Sequence, residues 1–185
     1  MSELPSPAIA RVIEVASRKG VALDIRIFEN AMRTPADAAA IVDAEVGQIV
    51  KAVLFVAPRP ENRVVQILCL MPASADVDLR LLAAVTGENA IRPASAREIR
   101  ELTGFAPDEM PPIGYSRTTR VFMDQDLCPY QWVWASAGSD TSLFRVTPGM
   151  LRMLANATVA PISAAPWVAA PMSRFGGMLE APAGA

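Results

Sequence analysis

The chain has no histidine among its 185 residues. That absence excludes Ser-His-Asp and Cys-His hydrolases, imidazole general bases and zinc sites built on histidine. Two cysteines, Cys69 and Cys128, are too few for a four-cysteine metal site or a disulfide framework. Both lie in or beside apolar stretches and read as small hydrophobes of a reducing compartment. Lysine is as scarce: of 17 basic side chains only Lys19 and Lys51 are lysines. No segment approaches the roughly 20 apolar residues of a membrane span, and the best candidate, 49–57, is interrupted by Lys51. The start, MSELPSPAIA, lacks the basic and apolar regions of a secretory signal, so the expected location is the cytoplasm, with no membrane partner. A net charge of −2 and a pI of about 5.2, without a basic stripe, exclude a coat for DNA or long RNA. Contact with only the tip of a nucleic acid needs no such stripe.

What is present suits one domain. The 52% apolar content and mean hydropathy of +0.28 provide for a filled core. Ser6-Pro7 caps a helix with Ile9, Val12, Ile13 and Ala16 on its inner face, stopped at Gly20. Residues 22–28 alternate as a strand, and Thr34-Pro35 opens an alanine-rich helix reaching about Ala44. Two apolar runs, 49–57 and 64–71, flank a proline-containing turn as a hairpin. Helices are expected at 78–85, with Leu79, Leu82 and Ala83 inward, and at 96–102. A proline-rich loop follows over 105–115. Strands at 120–124, 131–136 and 143–146 precede a helix from Thr147-Pro148 to Leu154 and a last strand at 158–162. Mixed elements without a regular βαβ rhythm predict an α+β fold, a mixed and largely antiparallel sheet packed with helices. The domain is expected to run to 162. Residues 163–185 form a Pro/Ala/Gly-rich tail, either flexible or folded back through Trp167, Met172, Phe175, Met178 and Leu179.

Several residues invite chemistry. Lys19 sits at a helix end, where a cation suits the dipole. Lys51 instead shares a strand face with Ile49, Val53 and Phe55, so it either snorkels to water or points into a cleft to meet an anion. Trp132 and Trp134, two apart, are either paired core residues or a platform for a nucleobase. The small residues 136–140 are either a hairpin turn or a place for a ligand to approach the backbone closely. In the loop Gly104–Gly114, the adjacent Asp108 and Glu109 either do acid–base work or are simply solvated. There is no P-loop, no GxGxxG and no metal-spaced acidic cluster.

Four blocks in order carry a resemblance: Gln48-Ile49-Val50-Lys51-Ala52-Val53-Leu54-Phe55-Val56-Ala57; Thr103-Gly104-Phe105-Ala106; Pro111-Pro112-Ile113-Gly114; and Val133-Trp134-Ala135-Ser136-Ala137-Gly138 running into Phe144-Arg145-Val146-Thr147-Pro148. Over about residues 6–162 the chain resembles the YbaK family of aminoacyl-tRNA deacylase domains, also found inserted in bacterial prolyl-tRNA synthetases. The resemblance implies a trans-editing hydrolase that removes a small amino acid from a mischarged tRNA. It implies no cofactor or metal, and as partners the aminoacyl-tRNA acceptor end and an aminoacyl-tRNA synthetase. Lys51 falls on the family's essential lysine, which engages the terminal adenosine and its phosphate. Ser136 and Gly138 fall on the small-residue turn lining the pocket, with Ala137 replacing a frequent glycine. Asp108, Pro112 and Gly114 fall on the pocket loop. There the family has two glycines where this chain has Asp108 and Glu109, and Asn30 stands where many relatives carry histidine. The Asp108 carboxylate would bind the substrate's α-ammonium, shrink the pocket or abolish hydrolysis. The last case gives the alternative function, a non-catalytic member binding an aminoacyl or acceptor end.

Overall fold

Capping side chains fix where each helix begins. Ser6 accepts a hydrogen bond from the Ile9 amide to open α1 (Pro7–Arg18), and Thr34 forms a capping box with Asp37 to open α2 (Pro35–Ile41). Asp78 caps α3 (Leu79–Thr86), Ser95 and Glu98 form the box of α4 (Ala96–Thr103), and Thr147 caps α5 (Pro148–Ala155). Gly87 and Gly104 end their helices in the left-handed conformation. The computed structural model describes residues 6–61, 63–115 and 118–164. The expected tail residues Trp167, Met172, Phe175, Met178 and Leu179 lie outside them.

The strands are β1 (Ile25–Ile27), β2 (Ile49–Pro58), β3 (Val64–Pro72), β4 (Arg92–Pro93), β5 (Arg120–Asp124), β6 (Val133–Ser136), β7 (Ser142–Val146) and β8 (Thr158–Ala160). They form one mixed sheet in the order β1-β7-β6-β2-β3-β5-β8, with β4 also pairing β2. The hairpins β2–β3 and β6–β7 and the pairs β1–β7 and β2–β4 are antiparallel. The pairs β2–β6, β3–β5 and β5–β8 are parallel. The α+β expectation therefore holds.

One face of the sheet packs against α1, α4 and α5 through the largest cluster, which includes Val12, Leu54, Leu70, Phe144 and Leu151. The other face carries two smaller cores. Phe55, Ile67, Cys69 and Phe122 pack with Leu82 of α3, while Ile49, Trp134 and Leu143 pack with Ala38 and Ala39 of α2.

Four expectations need correction. The first strand is only three residues long, because it pairs on one side alone, and Ile27 is exposed. Ile13 and Leu79 are exposed rather than inward, each lying just off the buried stripe of its helix. Cys128 is exposed, since it follows a 3-10 turn on the surface. The two-residue β4 was not foreseen and exists because the Arg92–Pro93 segment reaches Val56 and Phe55 of β2.

Candidate active site

The sheet contains a gap. On one side β2 is paired throughout with β3. On its other side it pairs with β6 at Ile49 and Val50, then with β4 at Phe55 and Val56. On that second side, residues 51–53 lie between the two ladders with no strand beside them among the described residues. A cavity of about 410 Å³ occupies this side of β2, lined by residues 49–52, by Met32–Pro35 ahead of α2, by Pro107, Asp108 and Met110, and by Ser136, Ser139, Asp140 and Leu143. Its size is that of a small-molecule site.

Lys51 sits at the boundary between the two small cores. Ile49, two residues before it, belongs to the α2 core, while Val53 and Phe55 belong to the α3 core. Its side chain is 29% exposed and its ammonium donates to the Ala75 carbonyl at 2.6 Å and to Asp76 Oδ1 at 2.8 Å. The hairpin register explains the contact: Lys51 is opposite Met71, and the chain turns back over it just after β3. Asp76 is almost fully solvated, and the hydrogen bond and charge of Lys51 hold its carboxyl below the usual range. Both alternatives for Lys51 are thus partly realised, since it lines the cavity while its tip reaches partners at the surface.

Ser136 joins two walls of the cavity. Its hydroxyl lies 3.2 Å from the Glu109 carbonyl and accepts from the Gly138 amide at 3.0 Å. The 3-10 turn Pro107–Glu109 is thereby fastened to the turn after β6, with Asp108 exposed at the rim. Gly138 lies in the turn with φ +101° and packs on Ala8 of α1. Pro112 and Gly114 line a different cavity, of about 520 Å³, with the end of α1 and Leu154–Asn156. The loop carrying them is held by Arg11, which donates to the Thr103 carbonyl at 2.8 Å and lies over the Phe105 ring. Tyr115 closes it by donating to the Pro111 carbonyl, and burial pushes its phenol pKa up.

Lys51, Asp108 and Ser136 therefore meet at one cavity, whereas Pro112 and Gly114 lie behind it and Gly138 shapes its turn. Sequence reasoning missed Arg33, Asp140 and Asp76. Asp140 ends the small-residue turn already singled out, and Arg33 precedes the Thr34-Pro35 cap, so both were within reach. Asp76 carries no signal, because its contact depends on the hairpin register. The cavity thus presents two cations, Lys51 and Arg33, and two carboxylates, Asp108 and Asp140. No group of three His, Cys, Asp or Glu side chains among the described residues is arranged to hold a metal. No helix among them is long and apolar enough to cross a membrane.

Comparisons with known proteins bear on the family and the fold. No curated protein matches the sequence. Among solved structures, a candidate trans-editing enzyme for prolyl tRNA synthetase is 35% identical, with a TM-score of 0.78 over 87% of this chain and 99% of that one. A scaffold protein used for epitope backbone grafting by computational design is 31% identical, with a TM-score of 0.77 over 86% and 99%. A hypothetical protein at 24% identity shares the fold, with a TM-score of 0.76 over 83% and 99%. The aminoacyl-tRNA editing domain family matches residues 29–154, a span from the entry to α2 through almost all of α5 that takes in every wall of the Lys51 cavity. With that span and this fold, the chain belongs to the aminoacyl-tRNA editing domain family, the YbaK family of the sequence resemblance.

Proposed function

We propose that the protein acts in trans on mischarged aminoacyl-tRNA, hydrolysing the ester that links a small amino acid to the terminal ribose. The observation that carries this reading is the cavity beside Lys51, whose lining holds both cations suited to a phosphate and carboxylates suited to an α-ammonium. In this reading Lys51 is the catalytic residue. Its ammonium meets the terminal phosphate and ribose, holding the ester carbonyl where water can reach it. Water attacks the carbonyl carbon, the tetrahedral oxyanion collapses with cleavage of the bond to the ribose oxygen, and that oxygen takes the proton. An aminoacyl ester is already activated, so positioning and charge stabilisation suffice without an imidazole. The neighbouring ribose hydroxyl orients the water.

Asp108 takes the α-ammonium at the rim. Ser136 is a positioning residue that holds the 107–109 turn at the cavity wall, and Gly138 gives its own turn the required backbone. Pro112 stiffens the loop from behind, and Gly114 supplies its φ of +101°, which L side chains rarely adopt. The likeness to a candidate trans-editing enzyme for prolyl tRNA synthetase makes tRNA(Pro) the first tRNA to charge, and the synthetase that mischarges it the upstream partner.

A second reading, binding without turnover, is favoured by one observation: the Lys51 ammonium already has the Ala75 carbonyl and Asp76 as partners. A deacylation panel separates the two. Purified protein is given tRNAs charged with alanine, serine, cysteine, threonine or proline, with Lys51→Ala as control. Release of one amino acid that is lost in Lys51→Ala is the expected result. Equal, negligible release by both proteins overturns the hydrolase, and thermal protection by the same tRNAs would then support the binder.

A further inference from the structure

The face of the sheet that carries Lys51 continues across β6 and β7 as a strip of arginines and tryptophans. Register places them together: Ile49 lies beside Trp134, Trp134 beside Arg145, and Leu143 beside Arg26. The Arg145 guanidinium lies 4.7 Å from the centre of the Trp132 ring and 5.8 Å from that of Trp134, and Arg26 lies 4.9 Å from Trp134. Trp134 is buried, but Trp132 is 37% exposed, and its carbonyl is fixed by Gln48 Nε2 at 3.1 Å.

The charges on this strip are uncompensated. Seven arginines elsewhere pair with carboxylates. Arg26, Arg145 and the cavity-lining Arg33 make no ion pair with any described carboxylate. Arg11, Arg100 and Arg152 also lack one, but they belong to α1, α4 and α5 on the opposite face. Arg145 stands two strands across and two residues along from Lys51, roughly 12 Å by strand spacing and rise.

We propose that Trp132 and Arg145 form a docking platform for the single-stranded 3′ end of tRNA, the terminal nucleotide lying at Lys51 and a preceding base stacking on Trp132. Arg145 and Arg26 neutralise the intervening phosphates, and aromatic stacking tolerates any base. The inference rests on the deacylase reading for the placement of the terminal nucleotide at Lys51.

The test measures binding of unacylated tRNA(Pro) transcript across a salt series, beside the same transcript lacking its last three nucleotides. Trp132→Ala and Arg145→Gln should each weaken binding of the full transcript about fivefold or more, with Trp132→Phe restoring it. Arg145→Gln should also lower the salt slope by roughly 0.7. The shortened transcript should bind the parent and the variants alike. Thermal melting checks the fold of each variant, and Arg145→Gln, at an exposed position, carries the test if Trp132→Ala does not fold. Unchanged binding in both variants overturns the platform. Lys51-dependent hydrolysis with unchanged binding sinks the platform alone, whereas Arg145-dependent binding without any hydrolysis sinks the deacylase alone.

Discussion

Lys51 and Asp76 form an ion pair at 2.8 Å in which the lysine side chain is 29% exposed and the aspartate 95%. The two ends of this contact are therefore unequal. Lys51 is fixed by its strand, while Asp76 can leave for water at little cost, since exposed pairs contribute only about 0.2–1 kcal/mol. In the proposed reading, a phosphate arriving at Lys51 competes with Asp76 for the ammonium. Asp76→Asn should therefore tighten tRNA binding by up to about fivefold, measured by direct titration at low salt. Weaker binding would show that Asp76 aims Lys51 rather than competing for it.

Gly138 couples a conformational requirement to a steric one. Its φ of +101° is one that L side chains rarely adopt, and an added Cβ would stand 3.1 Å from the carbonyl carbon and Cβ of Ala8. Gly138→Ala should destabilise the fold by about 1–3 kcal/mol, read as a lower urea midpoint with an unchanged slope. Gly149, the second residue of α5, has by contrast open space around it and no left-handed φ, so Gly149→Ala should hold or raise the midpoint, by up to about 1 kcal/mol, and serves as the opposite-sign control.

The two thiols should behave oppositely. Burial, and then the charge of Asp124, push the Cys69 thiol up to about 12, whereas Cys128 is exposed. A thiol reagent at pH 8 should modify one cysteine in the native protein and two after unfolding. Two fast equivalents in the native state would contradict the burial of Cys69 in the β3 core.

Acid should loosen the start of α4. Hydrogen bonds from Arg92, then from the amide and hydroxyl of Ser95, hold Glu98 at about 2 instead of the ordinary 4.5. A depressed folded value means that the stabilisation is complete above about 4.5 and is lost as the pH falls toward about 2. Glu98→Gln should flatten the acid side of the melting-temperature profile across that window. An unchanged profile would show that the carboxylate does not support the helix.

Much of this architecture is legible in the sequence because its signals are local. Ser6-Pro7, Thr34-Pro35 and Thr147-Pro148 mark helix starts by hydrogen bonds that close within three residues. The β2–β3 hairpin follows from two long apolar runs. What escapes is long-range. Ile13 and Leu79 are apolar residues whose exposure depends on what lies opposite their helices. The sequence places Lys51 on an apolar face, but not the gap beside it, which arises because β6 and β4 pair with β2 at different heights. Trp132 and Trp134 share a period yet differ in burial, since only Trp134 is covered by the α2 core.

That gap between β6 and β4 also separates what is inherited from what can be exchanged. Its floor and ends are strands whose positions are set by backbone ladders, so a side-chain substitution cannot widen them without unpairing the sheet. The wall at 107–110 is a short turn fastened to the floor through the Ser136 hydroxyl and the Glu109 carbonyl. Drift in sequence there can reshape the chamber while the scaffold stays intact. Diversification of amino-acid preference among proteins built on this plan should therefore concentrate in that turn, where Asp108 and Glu109 already stand.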